Sequence, residues 1–268
     1  MLRMISQYNH FPTKTAAPND MTAPRMYVDG KIWQAKEEAA EPTDLLMLIE
    51  PRPLQEENYN WAMLNYDRFK YIFTHDSQLL SLAPNALPIY YWRDYELKDV
   101  PKTKGISMIC GTKDMCPVHH ERMKIAKWLM DLNDVDVLGD LTGSHCTIDE
   151  AYSEYRFAIV IENHLDDRWL TEKLLNAFSH KTIPIYYGAR KPHGVFMEEG
   201  IIRVNRLWDI PKRVRDLINF GIEDAYNIMK NEVDHNFEAV KIYRDFEDYF
   251  FCKYSTLIER VKEEMWRA

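Results

Sequence analysis

Residues 156–178 read RFAIVIENHLDDRWLTEKLLNAF. The first six, Arg156 to Ile161, are apolar after the arginine and do not alternate with polar residues. That is how a strand buried on both faces reads. The last residues have helical spacing, with Leu174, Leu175 and Phe178 on one face. Thr171 or Asp167 can cap this helix, which puts Glu172 and Lys173 in its first turn. Glu172 suits the positive end of the helix dipole and Lys173 does not. A helix N-terminus joined by a cation is a ready phosphate site. A solvated Lys173 would cost about 1 kcal/mol at most, so local physics leaves both readings open.

The strand-then-helix pattern recurs along the chain. Apolar runs occur at DLLMLIE (44–50), KYIFTHD (70–76), GISMICG (105–111), VDVLGD (135–140), RFAIVIEN (156–163), TIPIYYG (182–188) and IIRV (201–204). Helix-like stretches separate them, which predicts an α/β protein with Rossmann-like parallel sheets. KDVPKTKG (98–105) is the best internal boundary. It gives an N-terminal domain over 1–102 and a second domain over 103–237. A long amphipathic helix over 238–268 is predicted to pack back across both. The first 25 residues, rich in Pro, Thr, Ala and Asn, are expected to lack regular structure. The Asp29–Gly30 pair in RMYVDGKIW predicts a hairpin.

The 268 residues carry a formal net charge of −8, with no dense Lys/Arg tract. That argues against nucleic acid as a partner. No apolar stretch approaches the ~20 residues of a membrane span. The N-terminus lacks the apolar core of a signal peptide. Cysteines at 110, 116, 146 and 252 are too sparse for a disulfide scaffold. A cytoplasmic protein with reduced thiols is expected.

Open parallel sheets bind ligands beyond the carboxyl ends of their strands. The runs above end in Glu50, His75 and Asp76, Gly111, Glu162 and Asn163, and Gly188. Glu50, fixed by Pro51, is a candidate general base, although a cap or ion pair is the commoner use of a single Glu. Arg122 lies near the start of the helix after GISMICG and suits a planar grip on phosphate. Pairing with Glu121 or Glu150 is equally open. DVD (134–136) enters a strand rather than ending one, the wrong edge of the sheet for an aspartate pair that holds a metal-bound ligand. CGTKDMCPVHH (110–120) offers Cys110, Cys116, His119 and His120, but the cysteines stand further apart than zinc pairs do. No metal is expected.

YRFAIVIENHLDDRWLTEKLLNAFSHKTIPIYYGA (155–189) resembles the signature of the α-1,3-fucosyltransferases, with bacterial members most similar. That signature is an apolar strand, Phe-Glu-Asn, a polar loop, Tyr-Val-Thr-Glu-Lys, a helix, then Thr-(Ile/Val)-Pro-(Ile/Val) and Gly. Trp169 stands in place of its Tyr, and Ile161 in place of its Phe. IEPRPL (49–54) is similar to the segment with the catalytic Glu, and Arg122 fits the family's Arg. The resemblance implies a GT-B fold, with 1–102 the acceptor-side domain and 103–237 the donor domain, GDP-fucose in the latter and a glycan acceptor in the cleft. It implies Arg122 and Lys173 on the diphosphate, Asn163 and Glu172 on ribose or fucose hydroxyls, and Trp169 in the donor site. Glu50 would be the base of a metal-free inverting transfer. Peripheral membrane association stays open. Two alternatives are a transferase of this fold using another sugar nucleotide, and a non-catalytic carbohydrate- or nucleotide-binding relative.

Overall fold

The computed structural model describes residues 2–6, 23–92, 95–190, 194 and 196–267. It divides into two compact units, one of residues up to Tyr91 together with those from Asp245 onward, the other Trp92–Arg244.

The N-terminal unit runs β1 (Arg3–Ile5), β2 (Arg25–Val28), α1 (Ile32–Glu37), β3 (Leu45–Leu48), α2 (Glu56–Leu64), β4 (Tyr71–Thr74), α3 (Ser77–Leu82) and β5 (Ala86–Pro88). The five strands form one parallel sheet in the order β1-β2-β3-β4-β5. All four residues of β3 are buried, as its unbroken apolar run requires. Tyr27, Leu46, Leu48, Tyr59 and Ile72 belong to the core.

Two expectations are corrected here. β1 lies in the segment expected to lack regular structure; residues 7–22 of that segment fall outside the described residues. The Asp29–Gly30 pair makes no hairpin. β2 pairs in parallel with both β1 and β3, and residues 29–31 form a 3-10 turn leading into α1. The pair's tolerance of left-handed backbone is used at Asp29, with φ 47°, to turn a strand into a helix.

The C-terminal unit runs β6 (Lys104–Ile109), α4 (Pro117–Leu129), β7 (Val135–Leu138), α5 (Ile148–Tyr152), β8 (Tyr155–Ile161), α6 (Glu172–Ser179), β9 (Ile183–Tyr187) and β10 (Ile202–Arg203). Three helices follow, α7 (Ile210–Phe220), α8 (Ile222–Ile228) and α9 (Lys230–Val240). The sheet is parallel throughout, in the order β10-β9-β8-β6-β7. From β6 the chain goes first to β7 on one side and later to β8 on the other. That reversal is a topological switch point, where open α/β sheets bind ligands.

The last helix, α10 (Phe246–Arg267), belongs to the N-terminal unit. Its Phe250 and Tyr254 meet Phe73 of β4 edge-on, at 5.0 Å each. The helix predicted from residue 238 therefore starts later. Residues 238–240 finish α9 and 241–243 form a 3-10 turn. Asp245 then begins α10, its carboxylate accepting the Asp248 N–H at 3.0 Å. Among the described residues, no helix is long and apolar enough to cross a membrane.

Candidate active site

The end of β8 explains the lysine in the first turn of α6. Glu162 follows five apolar residues and is fully buried. Its carboxylate accepts the Thr171 N–H at 3.0 Å, the Thr171 hydroxyl at 2.8 Å and the Lys173 ammonium at 3.2 Å. Thr171 is the N-cap of α6, its Oγ1 accepting the Lys173 N–H at 3.3 Å. Lys173 Nζ also lies 3.2 Å from Thr171 Oγ1 and 3.9 Å from Glu172. Burial works against this ammonium, yet Glu162 and then Glu172 outweigh it and raise its pKa. The dipole's penalty on Lys173 is thus offset by a buried carboxylate. Gly188 makes room for that carboxylate: a Cβ there would overlap the Tyr186 hydroxyl and Cγ of Glu162.

Helix α4 brings the second half of the site. Pro117 occupies its first turn, where a missing N–H costs nothing. His119 is buried, and its Nδ1 accepts the Met115 N–H at 3.1 Å, which leaves the proton of a neutral ring on Nε2. The Cys116 thiol points to the Asn163 carbonyl at 3.9 Å, tying the start of α4 to the end of β8. Burial pulls the His119 pKa down. Arg122 pulls it further, the Asn163 side chain opposes, and Lys173 and Lys113 add to the fall. Three cations, from α4, α6 and the β6–α4 loop, therefore act on one imidazole.

Arg122 joins neither of the acids open to it in the sequence. Glu121 is taken by Lys124 at 2.9 Å and the Trp208 indole N–H at 2.7 Å. Glu150 closes a capping box with Thr147. Arg122 Nε is buried and has no hydrogen-bond partner among the described residues.

The structure thus gathers Arg122, Asn163, Glu172 and Lys173 in the C-terminal unit. Trp169 lies in the loop between β8 and α6 and is only 4% exposed. Glu50 lies in the N-terminal unit, just past β3. Sequence reasoning noted Glu162 only as a strand end and His119 only as a zinc rival, and it passed over Lys113. The signal for Glu162 was present: a carboxylate closing a two-face-buried strand needs a cation, and Lys173 was the nearest one left unexplained.

The rival readings do not come together. His119 turns Nδ1 to a backbone N–H, and His120 lies 3.7 Å from Asp114. Among the described residues, no group of three or more His, Cys, Asp or Glu side chains could hold a metal ion. Asp136 sits inside β7 and accepts the Tyr155 hydroxyl at 2.8 Å.

No curated protein matches this sequence. Solved structures do share the fold. TarM matches with TM-score 0.59 at 11% identity, over 88% of this chain and 54% of that one. The GtfA/B complex matches with TM-score 0.55 at 12% identity, over 89% and 57%. An alpha1,3-fucosyltransferase with GDP matches with TM-score 0.50 at 18% identity, over 79% and 66%. The chain spans between half and two thirds of the length of these structures. At such identities the likeness establishes the fold, two Rossmann-like parallel sheets of GT-B type. A family model described as glycosyltransferase family 10 (fucosyltransferase), C-terminal, matches residues 101–256, more than half of the sequence. The chain therefore belongs to glycosyltransferase family 10, the fucosyltransferases.

Proposed function

We propose that the protein transfers fucose from GDP-fucose to a hydroxyl of an acceptor glycan, with inversion at the anomeric carbon. The observation that carries this reading is the buried Arg122 Nε on α4, without a hydrogen-bond partner among the described residues, together with the Lys173 ammonium held by Glu162 at the end of β8, both in the unit whose sheet has the switch point. A nucleoside diphosphate supplies the negative charge such a cluster lacks. Family membership favours fucose, and a fold relative solved with GDP favours guanosine.

Lys173 has three N–H donors, of which Glu162 and Thr171 engage two. The third is left for a phosphate oxygen, with Glu162 fixing where the ammonium stands. Arg122 grips the same diphosphate. Charge grows on those oxygens as the bond to fucose breaks, so both cations act most strongly in the transition state. This part of the reading needs no metal. Asn163 and Glu172 hydrogen-bond ribose or fucose hydroxyls, and Trp169 shapes the loop between them. Glu50 removes the proton from the acceptor hydroxyl as it attacks. A cytoplasmic setting goes with this reading, supported by four free thiols, two of them buried. Peripheral membrane association is compatible with it.

The test is GDP release from GDP-fucose in water, with water as the stand-in acceptor. Wild type should release GDP slowly. Glu50→Gln should lose at least a hundredfold in rate while binding GDP as before. Loss of GDP affinity in that variant would refute the base assignment. Release of UDP from a UDP-sugar in place of GDP would reassign the donor, and no release from any sugar nucleotide would make the protein a binding relative.

A further inference from the structure

We infer that Asp29 is a positioning residue for Glu50, setting the backbone from which the base projects and the charge it feels. The inference rests on the proposed role of Glu50. Asp29 is fully buried at the end of β2, the strand beside β3. Its Oδ1 accepts two consecutive backbone N–H groups, Ile49 at 2.7 Å and Glu50 at 3.2 Å. Its Oδ2 is buried with no hydrogen-bond partner among the described residues. On the other side of the same residue, the Glu50 carbonyl accepts the Tyr59 hydroxyl at 2.6 Å. His75 Nε2 lies 3.1 Å from that hydroxyl and 3.4 Å from the carbonyl. Tyr59 has one proton and gives it to Glu50, so its oxygen accepts from His75. Both peptide groups flanking the Glu50 Cα are therefore pinned by buried side chains. Asp29 holds this place at a φ of 47°, which Asp and Asn tolerate better than other side chains.

The arrangement also sets charge. Burial pushes the Asp29 carboxyl up to about 7, its two N–H bonds hold it down, and Glu50 adds to the rise. Among the described residues, Tyr59, His75 and Asp76 are the other titratable groups here, the last neutralised by Arg52 at 2.7 Å. As pH rises through 7, Asp29 ionises. A carboxylate grips the two N–H groups harder than the neutral acid does. A like charge beside Glu50 also makes it the stronger base. Both effects raise the rate.

The experiment follows kcat and KM for GDP release from GDP-fucose between pH 5 and 9. Wild type should show a step of increasing kcat near pH 7. Asp29→Asn keeps the Oδ1 acceptor and suits the backbone, so it should fold. It should lower kcat about tenfold at pH 8, leave KM unchanged and abolish the step. Asp29→Ala should lose about a hundredfold. A wild-type kcat and pH step in Asp29→Asn, with Glu50→Gln inactive, would overturn this inference and leave the base assignment standing. Activity retained in Glu50→Gln would overturn both, with the failure traced to Glu50.

Discussion

A lysine in the first turn of a helix opposes the dipole by up to about 1 kcal/mol, so its presence asks for a partner. Lys173 has one in Glu162, and each would be a liability without the other. Removing one member of a buried pair typically costs about 3–5 kcal/mol. Lys173 keeps 29% of its side chain exposed, so the lower end applies. Lys173→Ala should destabilise the protein by about 3 kcal/mol, measured by chemical denaturation. The double variant Glu162→Gln, Lys173→Met buries two neutral side chains of similar size and should recover most of that loss. It should not recover GDP affinity, because the cation is gone. If the double variant binds GDP like wild type, the ammonium is structural and the diphosphate lies elsewhere.

At the scale of elements, what the sequence revealed follows from length and pattern. The strands at 45–48, 71–74, 104–109, 155–161 and 183–187 were readable because each is dominated by apolar residues without strict alternation, as strands covered on both faces are. β1 and β5 have three residues each, too few to show a period, and β5 ends in a proline suited to an edge. β2 was misread because Asp-Gly serves a strand-to-helix turn as readily as a hairpin. The site followed the same rule. Lys173 and Arg122 stood out by position against a dipole or after a strand, whereas Glu162, His119 and Asp29 matter through contacts between distant segments. Even the start of α10 had a local signal, Asp245 three residues before Asp248, hidden because apolar spacing continued across it. Asp245→Ala should cost about 1 kcal/mol in the melting of the N-terminal unit. A melt identical to wild type would show that Phe246, Phe250 and Tyr254 alone fix where the helix begins.

For the whole molecule, the proposed function requires a chain of net charge −8 to bind an anion. At physiological ionic strength the field of distant carboxylates is screened beyond about 8 Å. On the proposed function, a bound diphosphate would therefore respond to Arg122, Lys113 and Lys173 at close range rather than to the total. Binding should accordingly leave a local mark. In the full chain, GDP should slow amide hydrogen exchange in residues 110–122 and 162–176, where β6 and β8 hand over to α4 and α6. Glu50 and its neighbours should exchange as before, because the nucleotide alone brings no acceptor. At a hundred times its dissociation constant, GDP should add about 2.7 kcal/mol, a rise in melting temperature of roughly 5–10 °C for a chain of this size. UDP at the same concentration should give less than half of that. Protection centred on residues 45–60, or a larger shift with UDP, would move the nucleotide away from the cationic cluster and with it the role of Lys173.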